Sequence, residues 1–391
     1  MTVAAKPRSG GKGSARTQPM LDSSIDAVQF RRRLMDWYRA SARQLPWRGT
    51  ADPYRIWISE VMLQQTRVAS VTERYTSFLQ RFPTVIALAL AEEGEVLAAW
   101  SGLGYYQRAR RLHRAARFVV QELGGILPPS CAGLRSLPGI GSYTCAAIAS
   151  IAYGESVAAV DGNVERVLLR LTGHSELSTA AVRGSLATQA NALMPRARVA
   201  DGRNAAGDHN QAMMELGATI CLPRGPLCAV CPVVSMCKTR GEHATLPRKA
   251  LRSQGAAYLL SLRKRGTRTE VLLARRPDEA TLMAGMYELP PLDEGAIEGR
   301  EPLLRARHAI THTNYYVQVF TPRDRRDRAL RSGVTAEKES LEWINTSTLG
   351  LMPLTGMARK ALQRLNVMAV PGLLPRMPVE DELELELVET V

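Results

Sequence analysis

Apolar residues recur at three- and four-residue steps through most of the first half of the chain. In the segment PYRIWISEVMLQQTRVASVTERYTSFLQRF, residues 53–82, the positions Ile56, Val61, Met62, Val68, Val71, Tyr75 and Phe78 follow this rhythm. Such spacing sets them along one helical face and asks for that face to be buried. Pro53 suits a first helical turn, where no backbone amide is required. The same texture runs from about Ser24 to Ala218, with further helices expected near 94–99, 104–122, 142–153, 161–172 and 180–193. Short breaks separate them, most containing Gly or Pro. The pattern predicts an all-α globule and not a coiled coil.

After Cys237 the pattern changes. The stretch HATLPRKALRSQG is polar and basic and reads as a linker. Strand-like runs follow at 257–262 (AYLLSL), 270–274 (EVLLA) and 315–320 (YYVQVF), and a helix near 355–365 is expected to close the region. The expected organisation is a disordered basic tail over 1–20, a helical domain over 21–240, a linker over 241–255, a smaller strand-and-helix domain over 256–370 and an acidic tail over 371–391. The acidic tail, with its alternating Leu, is expected to fray or to bind a partner.

A length of 391 residues calls for more than one domain. An apolar share of 45% with 23% charged residues excludes global disorder. No apolar run is long enough to predict a membrane span, and no apolar core follows the basic residues at the start, so a cytoplasmic, nucleoid-associated location is expected. The net charge is +14. Residues 1–20 carry +4 and residues 379–391 carry −6, so the body between the tails is more basic than the total. That excess favours a polyanionic partner, because neutralised phosphates release their condensed counterions.

Four cysteines crowd into one loop: Cys221, Cys228, Cys231 and Cys237, spaced C-x6-C-x2-C-x5-C. Thiols so close strain to pair as disulfides, and a shared metal centre is the physical alternative. The usual four-cysteine zinc pattern has two C-x2-C knuckles well apart, and here only one exists, which favours a 4Fe–4S cluster over zinc. Arg224, in a loop stiffened by Pro223 and Pro226, can present a cation to a phosphate or simply be solvated. Cys131 and Cys145 stand outside this set and are expected as buried apolar residues.

Three further features carry chemistry. In LPGIGSYTCAAI, 137–148, Gly139 and Gly141 form a tight turn that opens a helix, where backbone N–H groups can approach a phosphate; an ordinary helix connection is the alternative. Asp161, in VDGN, stands at the mouth of a helix, where an N-cap is the simple reading. Glu60 lies in SEVMLQQT, an unusual setting for a solvated acid, and a partly desolvated carboxyl can serve as a general acid.

Together these pieces resemble the helix–hairpin–helix DNA glycosylase superfamily. Within it, LPWR, SEVMLQQT, GLGYYQRAR and NQAMMELGATIC are similar to the MutY-type adenine DNA glycosylase family. The resemblance covers about residues 25–370. It implies a multidomain fold, with an all-helical helix–hairpin–helix domain bearing a 4Fe–4S loop and a Nudix-like α/β recognition domain after it. It also implies removal of adenine mispaired with 8-oxoguanine or guanine from double-stranded DNA, leaving an abasic site; no internal repeat or coiled-coil pattern suggests an oligomer, so a monomer is expected. Glu60 matches the acid that protonates the departing adenine, and Asp161 the carboxylate that stabilises the oxocarbenium-like sugar. Asn163 is expected to hold Asp161 or the nearby sugar, and Tyr143 to complete the site. Arg43, Leu45, Trp47, Arg48 and Gln211 are expected to line the adenine pocket. Gln65 and Tyr105, with Thr66 beside them, resemble residues that wedge into the duplex.

The resemblance also marks departures. Endonuclease-III-type relatives carry a Schiff-base lysine two residues after the second hairpin glycine, where this chain has Tyr143, and a glutamine at the place of Glu60. Both differences imply a glycosylase without strong lyase activity. RHAITHTN, 307–314, is similar to a loop that reads 8-oxoguanine, and this assigns the role to Thr311 and His312. Ile310 lacks the aromatic usual there, and Met283 stands where a tryptophan is common, so discrimination of 8-oxoguanine from guanine is expected to be looser. The clustered-glutamate pattern of Nudix hydrolases is missing from 255–370.

Overall fold

The computed structural model describes residues 25–175, 180–196, 204–243, 250–310, 312–323 and 327–369. The two tails and Thr311 lie outside these residues. Eleven helices precede the first described strand: α1 (Ala27–Ser41), α2 (Pro53–Leu63), α3 (Val68–Arg81), α4 (Val85–Leu90), α5 (Glu93–Ala99), α6 (Gln107–Leu123), α7 (Cys131–Arg135), α8 (Ser142–Tyr153), α9 (Gly162–Thr172), α10 (Ala180–Leu193) and α11 (Ala205–Thr219). Strands β1 (Arg252–Leu259), β2 (Leu262–Arg265), β3 (Arg268–Arg275), β4 (Tyr287–Glu288), β5 (Leu304–Ile310) and β6 (Thr313–Phe320) follow. Helix α12 (Arg328–Ser332), strand β7 (Leu341–Asn345) and helix α13 (Gly356–Arg364) complete the order.

Contacts gather the chain into two compact units, each assembled from separated stretches. The first takes described residues within Met1–Gln44, Pro129–Cys131 and Ser142–Pro247; the second takes those within Leu45–Pro128, Ala132–Gly141 and Arg248–Val391. In the first unit, α1, α9, α10 and α11 close over Phe30, Leu34, Val164, Leu168, Met213 and Leu216, and Cys221, Cys231 and Cys237 pack against this core. Asp26 starts α1 by accepting the Val28 amide at 2.9 Å, which satisfies one of the free donors of a first turn.

In the second unit, α2 begins on Asp52, which accepts the Tyr54 amide at 2.9 Å, and Pro53 fills the first turn. Phe78 of α3 meets Trp100 edge-on at 5.9 Å, and both are buried. The same unit contains both sheets. In one, β6 lies between β1, parallel to it, and β5, antiparallel. In the other, β3 pairs antiparallel with β2, β4 and β7. Val271, Leu273, Val317 and Val319 from the two sheets enclose a core with Leu349, Leu354 and Leu362. Among the described residues, no helix is long and apolar enough to cross a membrane.

Two sequence expectations change. The periodic run over 53–82 is two helices, because the chain breaks at 64–67 where Gln65 turns left-handed at φ +56°. And Cys131 and Cys145, expected as simple buried thiols, pair as a disulfide with their Cα atoms 4.7 Å apart. The first turns of α7 and α8 bring the two together, a proximity that spacing alone does not reveal.

Candidate functional site

In the first unit the predicted residues converge on the start of α9. Asp161 is its N-cap: one carboxylate oxygen accepts the Val164 amide at 2.7 Å, and the other accepts the Asn163 side-chain amide at 2.9 Å. Asn163 is held in turn, because its oxygen accepts Arg166 Nη2 at 2.9 Å. Arg166 also donates to the carbonyls of Gly217 at 2.7 Å and Cys221 at 2.8 Å. Gly217 makes this approach of α11 to α9 feasible, since a Cβ there would stand 2.6 Å from that of Asn163. A half-buried carboxylate thus stays in place through a chain of directed bonds rather than through packing alone.

The other predicted residues of this unit come from α8, α11 and the end of α1. Tyr143, half-buried, directs its hydroxyl at the Met214 sulfur at 3.1 Å. Gln211 accepts from the Tyr38 hydroxyl at 3.4 Å. Arg43 commits its fork to Glu215, with Nε and Nη2 at 2.7 and 2.8 Å from the two oxygens, and its backbone amide adds a third bond at 3.2 Å. Glu215 is buried, and its hydrogen bond holds the guanidinium pKa above the usual arginine value. Sequence reasoning missed Glu215 and Arg166. Glu215 had a visible signal, an acid inside the apolar run of NQAMMELGATIC; Arg166 had none.

The four loop cysteines are free and half-buried. Burial pushes the Cys221 thiol up, and it pushes that of Cys231 to about 11, with the other three sulfurs adding to the shift. Arg170 Nη1 approaches Cys221 Sγ at 3.4 Å, and the Arg240 amide approaches Cys237 Sγ at 3.5 Å. N–H donors thus face two of the four sulfurs, and burial with the neighbouring sulfurs disfavours the bare thiolate at Cys221 and Cys231. Among the described residues, no three His, Cys, Asp or Glu side chains are grouped so as to hold a single metal ion. Arg224 is exposed on the same loop.

The second unit carries the other predicted residues. Glu60 lies on α2, 5% exposed, between Ser59 and Val61, which are also buried. Trp47 is buried and meets Tyr75 edge-on at 5.6 Å. Leu45 and Arg48 share its turn, closed by the Arg48 amide on the Leu45 carbonyl at 3.0 Å. Gln65 and Tyr105 are both exposed, and both adopt left-handed backbone, at φ +56° and +47°. Such φ values strain any residue with a Cβ and persist only where the surroundings impose them.

Arg108 imposes them here. Its guanidinium donates to the carbonyls of Val61 and Met62 at 2.9 Å and also to that of Gln64, which gathers the free end of α2. It donates as well to Thr66 Oγ1 at 2.9 Å and to the carbonyls of Leu103 and Gly104 at 3.1 Å. Its plane lies 5.5 Å from the Tyr105 ring and 5.4 Å from that of Trp100. One side chain therefore binds the Gln65 loop to the Tyr105 loop. In the hairpin, Gly139 sits at φ +79°, where a Cβ would also press Arg111 at 3.0 Å, while Gly141 faces open space. His312 is exposed at the turn between β5 and β6, and its carbonyl accepts the Arg252 amide at 2.9 Å.

Comparison with known proteins places these features in a family context. Residues 58–188 match the model of the HhH-GPD superfamily base excision DNA repair protein. The chain is 47% identical over 225 residues to the adenine DNA glycosylase of Homo sapiens, which covers 55% of this chain and 40% of that protein. It is 40% identical over 202 residues to the adenine DNA glycosylase of Mycobacterium tuberculosis, covering 51% of this chain and 64% of that one. The chain spans about half the length of the curated relatives it matches. Among solved structures, a thermostable thymine-DNA glycosylase aligns with a TM-score of 0.50 at 31% identity, over 55% of this chain and 96% of that one.

Proposed function

We propose, since the chain belongs to the HhH-GPD superfamily of base excision DNA repair proteins, that it is a monofunctional DNA glycosylase that hydrolyses the N-glycosidic bond of adenine mispaired with 8-oxoguanine or guanine. The observation that carries this reading is the held carboxylate of Asp161: an N-cap whose second oxygen accepts from Asn163 is fixed in place, which suits the stabilisation of a cationic sugar. The target base is inaccessible within the duplex and must be flipped out. Gln65 and Tyr105, exposed and rigidly presented, fill the gap. Glu60, buried among apolar neighbours, protonates the departing adenine. Trp47, Arg43 and Gln211, with Leu45 and Arg48, are the residues assigned to adenine recognition. Tyr143 offers no amine, so the abasic sugar is released without a Schiff base and the strand stays intact.

The four cysteines fit a 4Fe–4S cluster, being free, half-buried and faced by N–H donors. When bound, the cluster supplies the cationic centre that lets all four sulfurs ionise together. Gly139, Gly141 and Arg224 would contact the phosphate backbone, and the basic surplus of the chain supports that partner. We assign the sheet region to a Nudix-like module in which Thr311 and His312 read the opposing 8-oxoguanine.

A labelled duplex carrying adenine opposite 8-oxoguanine tests the reading directly. A strand cut at the adenine only after hot alkali is the expected result. Cutting without alkali would refute the monofunctional assignment, and an intact strand after alkali would refute the glycosylase.

A further inference from the structure

A buried guanidinium in the second unit has no part in the function just proposed. Arg359, on α13, is 6% exposed. Its Nε donates to Ser101 Oγ at 2.6 Å, Nη1 reaches only the Met368 sulfur at 4.0 Å, and Nη2 has no partner among the described residues. Ser101 opens the loop between α5 and α6 that carries Tyr105. Two hydroxyls of this segment, Ser101 Oγ at 3.4 Å and Tyr106 OH at 3.1 Å, donate to one acceptor, the Leu354 carbonyl just before α13. A further tie comes from α6, where Arg110 donates to the Ala284 carbonyl at 2.6 Å while its Nε pairs with Glu93 at 2.8 Å.

The energetics make Arg359 unusual. A buried charge with a single oxygen acceptor is costly, and an apolar side chain of similar length would fill the same space without that cost. Stability alone therefore does not account for it. What the charge adds is direction: its bond takes up one lone pair of Ser101 Oγ and turns the hydroxyl hydrogen towards the cluster formed by the Leu354 carbonyl and the Tyr106 hydroxyl, which itself lies 3.4 Å from Ser101 Oγ. The loop is then fastened at Ser101 and at Tyr106, the residue next to Tyr105.

We infer that Arg359 is a positioning residue, through which the sheet-bearing region sets the conformation of loop 100–106 and so the presentation of Tyr105 to the duplex. The inference rests on the proposed function for its last step only, since the fastening of the loop is a property of the free protein. It assigns the sheet region a second task beside reading the opposing base. That region fastens the loop whose aromatic side chain is proposed to wedge into the duplex.

Amide hydrogen exchange on the full chain, free of DNA, tests this together with single-turnover excision of adenine opposite 8-oxoguanine. The variants are Arg359→Met, Arg359→Lys and Tyr106→Phe. The last removes one oxygen only and keeps the question answerable should Arg359→Met fail to fold. Amides of 101–106 should exchange about ten-fold faster in Arg359→Met and Tyr106→Phe, with α2 and α3 unchanged and Arg359→Lys in between. Excision should slow by about ten-fold in the same order. Unchanged exchange in the loop would overturn the inference, as would an equal rise throughout the unit or a loosened loop with excision at the wild-type rate. If the loop loosens as expected but the wild-type chain releases no adenine, the proposed function fails and the loop assignment stands.

Discussion

Replacing Arg108 by methionine removes the six donations that join the Gln65 and Tyr105 loops while keeping a side chain of comparable length. Hydrogen bonds to a charged donor contribute about 1.5–3 kcal/mol each. Six such values cannot simply be added, because one guanidinium has five N–H bonds and several acceptors share them. The lost partners include the last carbonyls of α2, which are half-buried and regain water only in part. Against this loss, Gln65 and Tyr105 are freed from left-handed backbone, which returns about 1 kcal/mol each. A net destabilisation of about 2–3 kcal/mol is the balance. For a unit of this size that corresponds to a melting temperature lower by roughly 5–10 °C.

The larger effect should be on rate. Burial lowers the Arg108 pKa to about 10, so the guanidinium is still charged at neutral pH and its loss removes a cation from both loops. If Gln65 and Tyr105 enter the duplex as proposed, loops that must be ordered anew in every encounter cost about 1–3 kcal/mol of pre-organisation, or roughly 5- to 150-fold in kcat/KM. Calorimetry and single-turnover excision read the two effects separately. Arg108→Lys should rescue little, because an ammonium cannot span carbonyls on two loops in one plane. An Arg108→Met protein that melts and cleaves like wild type would rule out Arg108 as the clamp between the two loops.

Asp161→Asn should preserve α9, because asparagine caps as well as aspartate, while excision falls by about 100-fold or more; a mild loss would reduce Asp161 to its capping role. Glu60→Gln should abolish excision and spare binding to the mismatch duplex, and unchanged turnover would remove Glu60 from the acid role. Gly217→Ala should cost about 1–3 kcal/mol on thermal unfolding and slow excision through displaced Asn163, whereas a neutral variant would contradict the 2.6 Å approach. His209 is buried in α11 against Phe30, and burial together with Arg31 lowers its pKa from 6.5 to about 4. The unfolded chain therefore binds the extra proton first, and stability should fall as pH drops from 6.5 towards 4, by up to about 3 kcal/mol. His209→Gln should flatten that part of the melting profile, and an unaltered profile would show that other groups set it.

What the sequence reveals and what it hides differ by the range of the interactions involved. Helices α8 and α10 begin and end where periodicity predicts, because a buried face is written locally in side-chain spacing. Glu60 was conspicuous for the same reason, since its apolar neighbours in sequence are its neighbours in the helix. Asp161 carried two readings, cap and carboxylate, and they prove compatible: one oxygen takes the Val164 amide and the other remains for Asn163. Strand β5 went unread because its central half-buried positions, Ala306 and His308, are small or polar, and it exists through pairing with β6. The break at 64–67 was hidden for a related reason. No Gly or Pro marks it, and its cause is Arg108, more than forty residues on. In the sequence that residue is one of a row of arginines on α6, with Arg110, Arg111, Arg114 and Arg117. Charge alone assigns all five to solvent or to phosphate. Only the folded chain shows that Arg111, Arg114 and Arg117 stay exposed while Arg108 turns inward to carbonyls from two distant loops. A run of like charges thus contains a structural clamp, and the partners that single it out come from other segments.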